Sequence, residues 1–147
     1  MEAQQLDAGV SVVGPLNEEA VRDAWPKVVG YLAEALDRDG GKMLPGDVLA
    51  QIADGLMGLY TVVDFATGDI LAALVCEAQE YARESVFNIA YCGGRDLYRW
   101  APLLGEMERE AARLGCQTLR ITGRAGWGRI FPDYREMNRI FERRVVV

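Results

Sequence analysis

The chain has 147 residues, half of them hydrophobic and about a quarter charged, with a net charge of −6. This is the balance of one globular domain long enough to bury a core, and the acidity counts against general nucleic-acid binding, which rests on Lys and Arg at phosphates. Histidine is absent, which excludes Ser-His-Asp and Cys-His catalysis as usually built and every His-containing metal site.

Residues 1–16 read as an arm or a short first strand, with VSVVG the apolar part. Asn17 is a good N-cap, and Glu18 and Glu19 suit a first helical turn. Val21, Ala24, Trp25, Val28, Val29, Leu32 and Leu36 then recur at helical spacing. Pro26 falls inside this pattern and is expected to bend or divide the helix. Pro45-Gly46-Asp47 starts a shorter helix with Val48, Leu49, Ile52 and Ala53 inward and Gly55 after its end. Three strand-like runs follow. GLYTVVDF and DILAALVCEAQEY are joined by the hairpin-like turn ATGD, and ESVFNIAYC is ended by Gly93-Gly94.

Asp96 can cap a long helix over roughly Leu97 to Leu114, with Trp100, Leu103, Leu104, Met107, Ala111 and Leu114 on its apolar stripe. CQTLRIT reads as a further strand, and Trp127 to Phe131 as a short helix or turn. The tail REMNRIFERRVVV is expected to form a last strand or helix. A strand, a long helix and another strand form a βαβ unit, which places the last two strands parallel. The economical architecture is a mixed sheet with helices on both faces, in a single domain over 1–147.

Cys76, Cys92 and Cys116 are far apart and form no CxxC pair. They read as buried free thiols in a reducing compartment, with no metal site expected. MEAQQLDAGVSVVG has no basic region followed by an apolar run, and no apolar stretch approaches a membrane span. Neither a signal peptide nor a membrane partner is therefore expected, and the cytoplasm is the expected location.

The element order is that of the acyl-CoA N-acyltransferase fold of the GNAT superfamily. The segment YCGGRDLYRWAPLLGEMEREAARLGCQTLRITGRAGWGRIFPDY resembles a group of small phage and prophage proteins with a GNAT-like fold. The resemblance is carried by Gly93-Gly94, Trp100, Ala111, Gly115-Cys116, Gly123-Arg124 and Gly126-Trp127. It is specific over about residues 85–134 and topological before them. It implies an α/β (α+β) fold with a mixed, mainly antiparallel sheet.

The resemblance also implies a way of binding acetyl-CoA. In the superfamily the fourth strand splays from the fifth, and its exposed backbone pairs with pantetheine. A Gln/Arg-x-x-Gly-x-Gly/Ala loop then enters a helix, whose amides hold the pyrophosphate. The matching strand here is about Val86 to Cys92, and the loop is Gly93-Gly94-Arg95-Asp96, which makes Cys92, Gly93, Gly94 and Arg95 the cofactor-binding candidates. The spaced Gly-x-Gly is missing, and Asp96 places a negative charge where the anion would sit. The alternative is a tight strand-to-helix turn with an Asp cap.

Family enzymes often use a Tyr a few residues before a Gly-Phe pair as general acid. That place falls near Ile130 or Phe131, with Asp133 and Tyr134 standing for the pair, so no proton donor is there. Glu77 and Glu80 are the candidates for a general base, unless they are solvent-facing strand residues. Gly123 and Gly126 would permit a sharp turn, with Arg124 anchoring it and Trp127 fastening it to the core. Arg120, Arg124, Arg129 and Trp127 also invite a phosphate or nucleic-acid reading. Against it, nearby Asp133, Glu136, Glu106, Glu108 and Glu110 offer ion-pair partners. Trp25 and Trp100 lie on apolar stripes and are expected in the core.

Two functions fit. One is an acetyl-CoA-dependent N-acyltransferase with a degenerate cofactor loop. The other is a noncatalytic virion structural or assembly protein in a bacterial host, whose tail IFERRVVV pairs with a second copy or with other phage proteins.

Overall fold

Local chemistry starts the first two helices. Asn17 Oδ1 accepts the Ala20 N–H at 2.9 Å, so helix α1 begins at Glu18 and runs to Arg38. Pro26 does not divide it. Pro26 and Arg22 are both exposed, so the carbonyl that loses its N–H partner faces water. Helix α2, Pro45–Ala53, opens with the Leu44 N–H donating to Asp47 Oδ2 at 2.8 Å. Val48 is its fully buried residue, whereas Ala53, expected inward, faces solvent.

The computed structural model describes residues 9–123, 127, 129–137 and 140–145. The strands are β1 Val10–Val13, β2 Gly58–Asp64, β3 Asp69–Glu80, β4 Ser85–Gly94 and β5 Thr118–Ile121. They form one sheet in the order β1-β2-β3-β4-β5. The first four are antiparallel and β4–β5 is parallel, as the helical crossover requires. In the β2–β3 turn, Asp64 Oδ1 accepts the Ala66 N–H at 2.9 Å. Gly68 there adopts φ +78°, a conformation glycine takes at little cost.

Helices cover both faces of this mixed α+β sheet. Val28, Leu32, Leu36 and Val48 from α1 and α2 pack on Leu59, Ala73, Val75 and Tyr91. On the other face Trp100, Leu103, Leu104, Met107 and Ala111 pack on Tyr60, Val62, Leu74, Cys76, Phe87 and Ile89. Tyr60 Oη reaches across to α4 and donates to Glu110 Oε2 at 2.6 Å. Arg113 holds the same carboxylate through two bonds of 2.8 Å. Trp100 is in the core at 3 % exposure, and Trp25 is partly buried against α1's own cluster.

Three expectations are corrected here. The long helix is broken into α3, Leu97–Trp100, a 3-10 turn, Ala101–Leu103, and α4, Leu104–Arg113. Pro102 is the cause, since it has no N–H to continue the ladder and crowds the preceding turn. Leu114 then falls past the helix end and is exposed. Asp96 adopts φ 53°, ψ 48°, and its side chain makes no cap hydrogen bond. Finally, the described tail residues, 132–137 and 140–145, contain no strand or helix. Glu142 of the tail pairs with Lys42 at 2.7 Å. Among the described residues, no helix is long and apolar enough to cross a membrane.

Gly93 and Gly94 do not end β4 but form its last two residues, in register with Ala73 and Ala72. A Cβ on Gly93 would lie 1.9 Å from the Tyr31 carbonyl oxygen of α1. The absence of that atom lets the helix backbone rest directly on the strand. Gly30, one turn position away on the same helix, meets nothing within 4 Å.

Gly93→Ala should therefore destabilise the fold by about 1–3 kcal/mol or more, as overpacking does. Gly30→Ala should stabilise it by up to about 1 kcal/mol through helix propensity. Urea unfolding of both variants checks the contrast. All three cysteines are free and buried, and burial pushes the Cys92 thiol up to about 12. Ellman's reagent at pH 8 should leave the native protein unlabelled and label it in denaturant. The unfolded Cys92 thiol ionises near its ordinary 9.0 and the folded one near 12. Stability should fall as pH rises through that window, and Cys92→Ala should remove that part of the slope.

Candidate functional site

The geometry of the site begins with one extra residue in β4. Val75 pairs with Tyr91, but the next residue, Cys76, pairs with Ile89. Ala90 is left over as a bulge, which bends a strand and increases its twist. Pairing of β4 with β5 covers only Val86 to Ile89, closed by the Thr122 N–H donating to the Ile89 carbonyl at 3.0 Å. Beyond that bond β4 runs on to Gly94 without β5 beside it.

The bulge also changes which backbone groups face the open edge. The Arg95 N–H donates to the Leu71 carbonyl at 2.8 Å, so Gly93 and Arg95 turn toward β3. By alternation, the N–H and C=O of Cys92 and Gly94 point to the side that β5 has left. Beside this edge lies a cleft of about 220 Å3. Its walls are Gly30, Tyr31, Glu34 and Arg38 of α1, Cys92, Gly93 and Gly94 of β4, Leu97 and Trp100, and Trp127. Arg38 Nη1 and Glu34 Oε1 pair at 3.0 Å on its α1 wall.

The cofactor candidates thus fall together, with different parts to play. Cys92 is 1 % exposed, its thiol in the core, so it offers only backbone to the cleft. Gly93 is taken up by the α1 contact, and Gly94 is exposed. Arg95 Nη2 pairs with Asp69 Oδ2 at 3.1 Å, with about half of each side chain exposed. Of the 123–127 motif, Arg124 and Gly126 lie outside the described residues. A Cβ on Gly123 would sit 2.2 Å from the Trp127 ring, so Gly123 makes room for that ring. Trp127 meets Phe131 edge-on at 5.9 Å, and its carbonyl accepts the Ile130 and Phe131 N–H groups. Trp127 fastens this turn to the core and also closes the cleft.

The two glutamate candidates separate. Glu80 lies at the end of β3, exposed, and accepts a hydrogen bond from Ser85 Oγ. It shares the α4 face with Cys76. Glu77 is half-buried on the α1 face, where register sets it beside Asn88, and Asn88 beside Arg120. Asn88 is 8 % exposed and accepts from Thr122 Oγ1 at 3.4 Å. This row of Glu77, Asn88 and Arg120 lies one residue before Ile89, where β4 and β5 part. Asn88 was not singled out from sequence. Its signal was a lone polar residue inside the apolar run VFNIA. Ile130 is exposed and Phe131 is buried, and Tyr134 donates to Glu108 of α4. Among the described residues no group of His, Cys, Asp or Glu could hold a metal ion.

No family model and no curated protein sequence matches this chain. Solved structures do match it in three dimensions. An aminoglycoside acetyltransferase from an uncultured soil metagenomic sample, crystallised with trehalose, is similar with a TM-score of 0.66 at 12% identity, covering 97% of this chain and 100% of its own. A Trypanosoma brucei acetyltransferase gives 0.61 at 17% identity, covering 92% and 99%. A GNAT family acetyltransferase of Staphylococcus aureus gives 0.61 at 11%, covering 93% and 99%. With the sheet order, the bulge in β4 and the parting of β4 from β5, these likenesses show that the chain has the GNAT acetyltransferase fold.

Proposed function

We propose that the chain is an acyl-CoA-dependent N-acyltransferase with acetyl-CoA as its donor. The observation that carries this is the parting of β4 from β5 after Ile89, beside a cleft, with Cys92 and Gly94 backbone groups directed outward. Those groups fit the amides of a pantetheine arm, which would lie against β4 as an added strand does. The anionic end is met less fully. The loop is only Arg95-Asp96, and Arg95 must leave Asp69 to reach an anion. An exposed pair of this kind is worth about 0–1 kcal/mol, so the exchange costs little.

When bound, acetyl-CoA supplies an activated acyl thioester. The chain's own part is to hold an amine at the strand parting and take its proton. Glu77 is the base, being the half-buried carboxylate of the row beside Asn88. Asn88 and Thr122 hold each other at the parting and fix the floor under the amine. The resemblance of residues 85–134 to small phage and prophage proteins supports an origin there, with the host cytoplasm as the working compartment.

A second reading is a noncatalytic virion or assembly protein. It is favoured by the tail, where Ile140, Phe141 and Val145 are 78%, 90% and 81% exposed, and by β5 as a sheet-edge strand. Such a tail would pair with a second copy or with other phage proteins.

Millimolar acetyl-CoA should raise the melting temperature, since a ligand at 100 times its Kd adds about 2.7 kcal/mol to the native state. Absence of any shift, with a defined oligomer by sedimentation, would favour the second reading. Glu77→Gln should lower turnover about 10²–10⁴-fold and leave the acetyl-CoA shift intact, whereas Glu80→Gln should change neither.

A further inference from the structure

We propose that the acceptor is a small amine bearing its own oxyanion, a carboxylate or a phosphate, and that Arg120 selects it. This rests on the acyltransferase reading and extends it to the substrate. Helices α1 and α2 cover the sheet where Ala73, Val75 and Tyr91 lie. Further along the same face the strands turn polar, with Glu77 and Gln79 on β3, Asn88 on β4, and Arg120 and Thr122 around β5.

Arg120 is a fixed cation held by neutral groups. Its Nη1 donates to Gln79 Oε1 at 3.3 Å and to Tyr81 Oη at 3.0 Å. Its guanidinium lies over the Tyr81 ring, 5.6 Å from the centroid. Arg95, Arg99 and Arg113 each pair with a carboxylate. Among the described residues no carboxylate stands within ion-pair distance of Arg120. In a chain of net charge −6, a half-buried cation positioned without a carboxylate partner among the described residues is matched by an oxyanion brought by the ligand.

The spacing sets the size of that ligand. The guanidinium sits at the level of Gln79, two residues along β3 from Glu77, which is about 7 Å at strand rise. An amine at Glu77 and Asn88 and an acid at Arg120 are thus joined by a short spacer, as in a short-chain amino acid or an aminoalkyl phosphate. A purely cationic polyamine would place a second positive charge against Arg120 and is disfavoured.

The test uses the full chain with acetyl-CoA and three probes, 4-aminobutyrate, 2-aminoethyl phosphate and butylamine. The expected result is a KM at least tenfold lower for an acidic acceptor than for butylamine, and the lower of the two acidic values names the oxyanion. Arg120→Gln should raise the acidic KM about tenfold or more, leave kcat and the butylamine KM nearly unchanged, and be partly rescued by Arg120→Lys. Independently of turnover, the acidic probe should shift the amide resonances of 118–122 in the wild type and not in Arg120→Gln. Should Arg120→Gln unfold, the Lys variant and the wild-type resonances carry the test. Equal use of butylamine, no turnover of any probe, or an acid preference that survives Arg120→Gln overturns the proposal while the acetyl-CoA shift upholds the acyltransferase reading. Loss of that shift overturns both.

Discussion

The unpaired residue Ala90 in β4 is the constraint on which the rest of the site depends. A strand bulge adds a residue to one side of a ladder, bends the strand and reverses its side-chain and hydrogen-bonding alternation. Before it, Phe87 and Ile89 pair with β5. After it, Cys92 and Gly94 present their backbone to open space, and Gly93 turns toward β3. The bulge thus falls where β4 and β5 part, beside the cleft lined by Gly94.

The packing around β4 then divides the two sheet faces into different tasks. On one, Trp100, Met107 and Ala111 complete an apolar layer, and the Tyr60–Glu110–Arg113 contact fixes how α4 sits. On the other, α1 lies so close that the Tyr31 backbone replaces a side chain at Gly93. That close approach brings Glu34 and Arg38 to the cleft wall. Further along the same face Glu77, Asn88 and Arg120 stand in register, partly or wholly buried. The same helix therefore walls the cleft proposed for the cofactor and packs on the sheet face that carries the floor proposed for the acceptor.

Much of the architecture was legible in the chain because its signals are local. Asn17, Asp47 and the Asp64–Gly68 turn act on backbone groups within four residues, and the structure shows each of them acting there. Pro102 breaks the helix, although the apolar stripe from Trp100 to Ala111 keeps the spacing of one continuous helix. The stripe survives the break because the 3-10 turn keeps Leu103 and Leu104 inward. Gly93-Gly94 shows the opposite case. A glycine pair reads as a loop when only sequence neighbours are considered, but here its partner is Tyr31, distant in the chain.

The residues by themselves determined the five strands and the first two helices, the mixed sheet with helices on both faces, and the buried thiols. Periodicity, caps and composition are short-range properties that survive without a partner. Register was decided elsewhere. That Glu77 stands beside Asn88 and Glu80 beside Ser85 depends on the offset of β3 against β4. The neutral setting of Arg120 likewise exists only once β3 and β5 lie on either side of β4, within reach of Gln79 and Tyr81. Long-range pairing set these relations, because no residue carries the identity of its cross-strand neighbour in its own chemistry.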